Sequence, residues 1–79
     1  MSVEDDRLIR CFQATFEGLA IEDVPGASVE TVADWDSLHT VILAAVLEQE
    51  FELWIPAPAF VELRSYASVR DYLRRTISR

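Results

Sequence analysis

The sequence predicts a small all-α protein. Apolar residues recur at helical spacing in three segments, proline and glycine stand between these segments, and the alternation typical of a strand is not seen. The chain has 79 residues, of which 51% are hydrophobic, so we expect one domain over residues 1–79 with a core of its own. Such a domain has little room for a deep catalytic cleft, which favours a binding, carrier or adaptor protein over an enzyme.

The first helix is expected to begin near Ser2, because Ser2 and Asp5 have the spacing of a capping box. Gly18 is expected to end it. The apolar stripe of this helix consists of Leu8, Ile9, Phe12, Phe16 and Leu19. Cys11 lies in the same pattern and is expected to be a small core or boundary residue. As the single cysteine, it excludes an internal disulfide and a thiolate metal cluster.

Residues 20–35 break the helical periodicity and predict a long loop. Pro25 and Gly26 mark a turn within it. A loop of this length in a small domain usually has a function or contains a short helical turn. Four apolar side chains are expected to hold the loop to the core: Ile21, Val24, Val29 and Val32.

The second helix is expected to begin at Asp36 or Ser37 and to run to about Phe51. Asp34, Asp36 and Ser37 are all favourable N-cap residues, and the helix interior holds no glycine or proline. Residues 41–47 are apolar without interruption, so apolar side chains cover this helix on all sides.

A rotation of about 100° per residue divides these side chains between two faces. The bulkier face is expected to pack on the core and consists of Leu43, Ala44, Val46, Leu47 and Phe51. The other face is expected to be exposed and consists of Leu38, Val41, Ile42 and Ala45. On the same side lie the serine that begins the helix and a polar rim: Ser37, Glu48, Gln49 and Glu52. An exposed apolar strip is typical of an interaction surface. The alternative is a central helix that is buried on both faces.

Pro58 fits the first turn of a short third helix, over about residues 58–63. Ser68 is expected to cap the last helix. The apolar face of the last helix consists of Val69, Tyr72, Leu73 and Ile77. The predicted architecture is therefore a small bundle of three longer helices and a short one, with a long loop between the first and second helices.

The net charge of −7 is concentrated in the middle of the chain. Residues 11–63 hold ten acids and neither Arg nor Lys, whereas residues 64–79 hold five arginines and one Asp. Such a surface repels phosphate backbones and attracts basic partners, so nucleic-acid binding is not expected. Arg70, Arg74 and Arg75 are expected to be solvated and to complement the helix dipole, the alternative being a small cationic face.

The sequence gives no sign of membrane insertion or export. The longest apolar run, residues 41–47, is too short to cross a membrane. The acidic N-terminus lacks the features of a signal peptide. We therefore expect a cytoplasmic monomer without membrane contact.

The start of the second helix, residues 36–38, resembles the Asp-Ser-Leu motif of the acyl and peptidyl carrier proteins. The likeness extends over nearly the whole chain. The apolar helix ends in Leu-Glu-Gln-Glu-Phe at residues 47–51, which is similar to the Leu-Glu-x-x-Phe ending of this helix in the family. Ile55 and Pro56, a short helix and a last helix with Tyr72 follow in the family's order.

The resemblance implies a four-helix bundle of carrier-protein type and the family's function. Ser37 would carry a 4′-phosphopantetheine arm, transferred from CoA by a separate phosphopantetheinyl transferase with Mg²⁺. Asp36 would either help to place a metal-bound CoA phosphate or serve only as the N-cap. The thiol of the arm would hold acyl or aminoacyl intermediates as thioesters for acyl-loading and acyl-processing enzymes.

The same resemblance implies a docking face on the second helix. Its apolar contacts would be Leu38, Val41, Ile42 and Ala45. Glu48, Glu50 and Glu52 would meet basic docking patches on the partner enzymes.

Three positions depart from the commonest pattern of the family. Trp35 stands where many members have glycine, although others have tryptophan. His39 and Ile42 stand where carriers of the fatty-acid type tend to have carboxylates. These two residues favour polyketide or related secondary-metabolite biosynthesis over housekeeping fatty-acid synthesis.

Other functions fit parts of the sequence less well. A serine hydrolase needs a base beside its nucleophile, but His39 lies two residues after Ser37, turned about 200° away on a helix, and no Gly-x-Ser-x-Gly elbow is present. A metal enzyme would need histidine ligands beside the carboxylates of the second helix. The main alternative is a helical interaction module that docks a basic partner through its acidic second helix without a prosthetic arm.

Overall fold

The computed structural model describes residues 3–77 and confirms the prediction of a small all-α fold. This range contains three α-helices, namely α1 (Val3–Thr15), α2 (Ser37–Phe51) and α3 (Tyr66–Ile77). Two 3₁₀ helices lie between them, at Ile21–Gly26 and Ala57–Glu62. No helix in the described range is long and apolar enough to cross a membrane.

The first helix ends close to the predicted residue. Its predicted start near Ser2 lies outside the described residues. The last residue of α1 is Thr15, and Gly18 takes a φ of 84° in the turn that follows. This left-handed conformation favours glycine, so Gly18 turns the chain away from the helix axis.

The core is built on α1, because its predicted apolar stripe is buried. Leu8, Ile9, Phe12 and Phe16 are almost inaccessible to solvent, and Leu19 packs against them at the edge. Cys11 is also buried, as predicted. Burial, with a smaller effect of the nearby Glu50 carboxylate, raises the pKa of the Cys11 thiol to about 11. The thiol is therefore protonated at neutral pH and unreactive.

A basic side chain joins α1 to the end of α2. The Arg7 Nε atom lies 2.7 Å from a carboxylate oxygen of Glu50, and the guanidinium group also donates to the Glu50 carbonyl. The same guanidinium carbon lies 4.6 Å above the centre of the Phe51 ring. Arg7 thus orients the last turn of α2 by one ion pair and one cation–π contact.

The connection between α1 and α2 contains the 3₁₀ helix Ile21–Gly26, in agreement with the expectation of a helical turn. Val24 is fully buried, and Val29 and Val32 pack partly against the core, so these three side chains hold the loop as predicted. The prediction was wrong for Ile21, which is 55% exposed. This 3₁₀ helix presents only Val24 to the core, which leaves Ile21 in solvent.

The second half of this loop is fastened to the start of α3. The Tyr66 N–H donates to the Ala27 carbonyl, and the Val29 N–H donates to the Arg64 carbonyl, both at 2.9 Å. These bonds surround an isolated antiparallel bridge between Ser28 and Ser65. The backbone at residue 64 is therefore held against the loop that leads into α2.

The cap of the last helix differs from the prediction. The helix begins at Tyr66, so Ser68 lies inside its first turn and Ser65 is the N-cap. The Ser65 hydroxyl accepts the Ser68 N–H at 3.0 Å, and the Ser68 hydroxyl accepts the Ser65 N–H at 3.1 Å. This reciprocal pair has the geometry of a capping box, with serine in place of the usual Glu or Gln.

The apolar face of α3 is confirmed in its first two turns. Val69 and Leu73 are buried and Tyr72 is partly buried. Ile77 is 50% exposed, contrary to the prediction, because it is the last residue of α3 and lies beyond the core. The short 3₁₀ helix before α3 begins one residue earlier than expected and has Pro58 in its first turn, as predicted.

The C-terminal end of α2 adopts a left-handed conformation without glycine. Glu52 has φ 52° and ψ 52°, and its N–H donates to the Glu48 carbonyl. The Leu53 N–H also donates to this carbonyl, at 3.3 Å. This pattern is a Schellman-type ending, for which glycine is the preferred residue.

We expect Glu52→Gly to raise the free energy of unfolding by about 0.5–1 kcal/mol, because glycine adopts the left-handed conformation without steric cost. Urea unfolding followed by circular dichroism measures this change. Glu52→Ala removes the same charge but keeps a Cβ atom in the left-handed conformation, so it should not raise the free energy of unfolding. Equal stabilisation by both variants would mean that the charge, and not the backbone, is responsible.

Candidate functional site

The chain enters α2 through a buried tryptophan. Trp35 is 5% exposed, and its ring centre lies 5.5 Å from that of Phe12 and 5.0 Å from that of Phe16. The backbone N–H of Trp35 also donates to the Val32 carbonyl at 3.0 Å. These contacts anchor the backbone two residues before Ser37.

Asp36 is the N-cap of α2. Its Oδ1 atom accepts the His39 backbone N–H at 2.9 Å and lies 2.9 Å from the Nδ1 atom of the His39 ring. The hydrogen bond from the His39 backbone, followed by the bond from its ring, lowers the pKa of the Asp36 carboxyl group. Of the three N-cap residues considered, Asp36 therefore does the capping.

His39 supports this cap with both its backbone and its ring. Its ring stacks on Phe16 with centres 5.7 Å apart and planes inclined by 18°. The side-chain hydrogen bond of its Nδ1 atom is made with Asp36. The ring is partly buried in this arrangement.

Ser37 is the first residue of α2, and its side chain is exposed. The first backbone N–H groups of a helix have no partner within the helix, and they lie at the positive end of its dipole. The Ser37 hydroxyl is therefore accessible and stands where a negative charge is stabilised.

A depression of about 430 Å³ lies beside Ser37. It is bounded by the start of α2, by the second 3₁₀ helix and by Arg64, which precedes the N-cap of α3. The lining residues that bear on the site are Trp35, Asp36, Ser37, Val41, Phe60 and Arg64. One wall is thus apolar, and the rim next to the serine is polar.

The exposed face predicted for α2 is confirmed. Leu38 is 64% exposed, Val41 50% and Ile42 38%, and Ala45 is also exposed. The opposite face is buried at Leu43, Ala44 and Leu47 and partly buried at Val46 and Phe51. The alternative of a helix buried on both faces is therefore wrong.

The acids expected to rim this face have different surroundings. Glu48 is partly buried, and its carboxylate accepts the Ile55 N–H at 2.8 Å, so it organises the turn after α2. The carboxylate of Glu50 pairs with Arg7 of α1. Glu52 is exposed at the end of α2. Glu48 and Glu50 thus have structural roles, and Glu52 is the rim acid most available to a partner.

Sequence reasoning missed one residue of the site. Arg64 lines the depression beside Ser37, although 27 positions separate them along the chain. Its signal in the sequence was weak: it is the first basic residue after the acidic stretch.

Within residues 3–77, no group of three or more His, Cys, Asp or Glu side chains is arranged to hold a metal ion. Comparisons of the chain with protein-family models, curated proteins and solved structures found no match. The interpretation of the site therefore depends on the motif at residues 36–38 and on the geometry around it.

The Asp36 cap makes stability depend on pH in a predictable direction. The pKa of the Asp36 carboxyl group is lower in the folded protein than in the unfolded chain, where it is about 4. The contribution of this group to the free energy of unfolding is therefore complete above about pH 4. This contribution is lost as the pH falls through the lower folded value. Asp36→Asn keeps an oxygen that can accept the His39 N–H but cannot titrate, whereas Asp36→Ala removes the cap.

We expect Asp36→Ala to be less stable than Asp36→Asn at pH 7, since asparagine is a good N-cap and alanine is not. The stability advantage of the wild type over Asp36→Asn should shrink as the pH is lowered from about 6 to about 3. Urea unfolding at several pH values measures both effects. Parallel pH profiles of the wild type and Asp36→Asn would contradict the assignment.

Proposed function

We propose that this chain is an acyl or peptidyl carrier protein, which holds biosynthetic intermediates as thioesters on a 4′-phosphopantetheine arm attached to Ser37. The observation that carries the proposal is the position of Ser37. This exposed residue begins a helix that also exposes the apolar side chains of Leu38, Val41, Ile42 and Ala45. A carrier needs these two features together, one to hold the arm and one to meet the enzymes that use it.

The surroundings of Ser37 fit such a group. The hydroxyl is exposed, the depression beside it has room for part of a flexible chain, and Arg64 supplies a cation at its edge. The start of α2 adds backbone N–H donors and the positive end of the helix dipole. A phosphodiester attached to Ser37 would therefore meet compensating charge.

The attachment reaction defines what the chain itself contributes. The Ser37 oxygen forms a bond to the phosphorus of the 4′-phosphate of CoA, the bond from that phosphorus to adenosine 3′,5′-bisphosphate breaks, and the serine proton leaves to a base of the transferase. The chain presents the hydroxyl, because Asp36 caps the helix and Trp35 anchors the segment before it. The arm, once attached, supplies the thiol on which the intermediate is held.

The docking face of the proposal is formed by Leu38, Val41, Ile42 and Ala45, with Glu52 and the less exposed Glu48 at its rim. Exposed aliphatic side chains of this kind suit contact with a phosphopantetheinyl transferase and with acyl-loading and acyl-processing enzymes. The surrounding negative charge favours partners with basic docking patches and affects the rate of encounter more than affinity. Such contacts must be weak, because one carrier visits several enzymes in turn.

The proposal includes a cytoplasmic location and a role in polyketide or related secondary-metabolite biosynthesis. His39 and Ile42 support this choice, because they place a ring and an aliphatic group where carriers of the fatty-acid type tend to have carboxylates. The ring of His39 is engaged with Asp36 and Phe16.

Ser37→Ala should fold like the wild type and should not be modified. Intact-protein mass after incubation with CoA, Mg²⁺ and a broad-specificity phosphopantetheinyl transferase measures the modification. Ser28→Ala, which leaves Ser37 in place, should still gain one phosphopantetheine. Modification of Ser37→Ala would exclude Ser37 as the site, and the absence of modification in all proteins, wild type included, would favour the unmodified interaction module.

Val41→Asp should change stability by less than about 1 kcal/mol, because Val41 is half exposed, but should lower kcat/KM of the transferase roughly tenfold. The cause would be a carboxylate buried at the enzyme interface. Ile21→Asp is the matched control, since Ile21 is equally exposed but lies on the first 3₁₀ helix. A similar loss of kcat/KM in both variants would contradict a docking face on α2.

A further inference from the structure

We infer that Arg64 binds the phosphodiester of the arm attached to Ser37 and so directs the first part of the arm into the depression between α2 and the second 3₁₀ helix. The inference rests on the proposed function of Ser37. It assigns a binding role to a residue outside the Asp-Ser-Leu motif. Arg64 and Ser37 line the same depression, and Arg64 is the one cationic residue among those that line it.

The backbone of Arg64 is held in place while its side chain remains exposed. Its carbonyl accepts the Val29 N–H at 2.9 Å, and its N–H donates to the Ser68 hydroxyl at 3.3 Å. Arg64 is exposed to solvent. The guanidinium group therefore has a fixed origin and is accessible to a ligand in the depression.

Arg64 also differs from other arginines in its partners. Among the described residues, its guanidinium forms no ion pair, whereas three other arginines have carboxylate partners: Arg7, Arg70 and Arg75. A planar guanidinium suits two phosphate oxygens at once. Arg64 is thus a cation with its hydrogen-bonding capacity available at the site.

The charged groups around Ser37 are mostly negative, so a nearby cation would stabilise a phosphodiester there. The Asp36 carboxylate lines the same depression and stays ionised at neutral pH, because its pKa is lowered by the bonds from His39. A phosphodiester on Ser37 would stand next to this carboxylate within the acidic stretch of residues 11–63. The repulsion between the two anions is offset by Arg64 together with the start of the helix.

One residue that lines the depression has a buried donor without a partner in residues 3–77. Trp35 lines the depression, and its indole N–H is buried without a hydrogen-bond partner among the described residues. An unpaired buried donor is costly, so an acceptor atom that reached it would favour binding of a ligand. An arm rich in amide and phosphate oxygens has the required acceptors.

The test uses the wild-type protein before and after attachment of the arm, with the mass of each sample checked first. In ¹H–¹⁵N spectra at low salt, the Arg64 Nε–H resonance, assigned by its loss in Arg64→Gln, should shift on modification. This shift should largely disappear at about 1 M NaCl, where the Debye length is only about 3 Å. The measurement does not require a modified variant.

The ³¹P resonance of the attached group gives a second readout. It should move in Arg64→Gln, move less in Arg64→Lys, and stay at the wild-type position in Arg10→Gln, which removes the same charge from an exposed site on α1. An unshifted Arg64 Nε–H in the modified wild type, with one ³¹P position for all variants, overturns the role of Arg64 and leaves the modification of Ser37 intact. A wild type that gains no mass overturns the proposed function and this inference with it.

Discussion

The contact of Phe12 with three other aromatic rings is the interaction on which the candidate site depends. The Phe12 side chain is fully buried, and its ring centre lies 6.1 Å from Phe16, 5.5 Å from Trp35 and 5.4 Å from Tyr66. Each such pair adds about 0.5–1.5 kcal/mol to the free energy of burial. Because Trp35 leads into α2 and Tyr66 begins α3, this cluster sets where Ser37 and the segment before α3 stand relative to α1.

The unequal burial of α2 follows from this arrangement. With α1 packed against one side, the helix buries Leu43, Ala44 and Leu47 and leaves Leu38 and Val41 in solvent. Exposed aliphatic groups contribute nothing to the hydrophobic stability of the isolated fold, where burial is worth about 25 cal/mol per Å². A partner that covered these side chains would gain the free energy of their burial. The exposed face and Ser37, the first residue of the same helix, are therefore interpreted together.

Sequence reasoning located α2 accurately because its signals are local. Asp36 is an N-cap of the usual kind, and the apolar residues of the helix divide into two faces by angle alone. The N-cap of α3 was misplaced because Ser65 and Ser68 are both suitable cap residues and lie three positions apart, as the two partners of a capping box do. Ile21 was misjudged because its exposure depends on how a short 3₁₀ helix lies on the core. Arg64 was missed because its approach to Ser37 depends on how the start of α3 is fastened to the loop, which periodicity does not encode.

Modification of Ser37 can be measured as a change in the mass of the intact wild-type protein after incubation with CoA, Mg²⁺ and several phosphopantetheinyl transferases. Trypsin cuts after arginine, and residues 11–63 hold neither Arg nor Lys, so the tryptic peptide that contains Ser37 is long and also contains Ser28. Fragmentation of this peptide is therefore needed to locate the added group. We expect a gain of one phosphopantetheine on Ser37. A folded protein that gains no mass with any of the transferases would exclude the carrier function and favour an unmodified module that binds partners through the exposed face of α2.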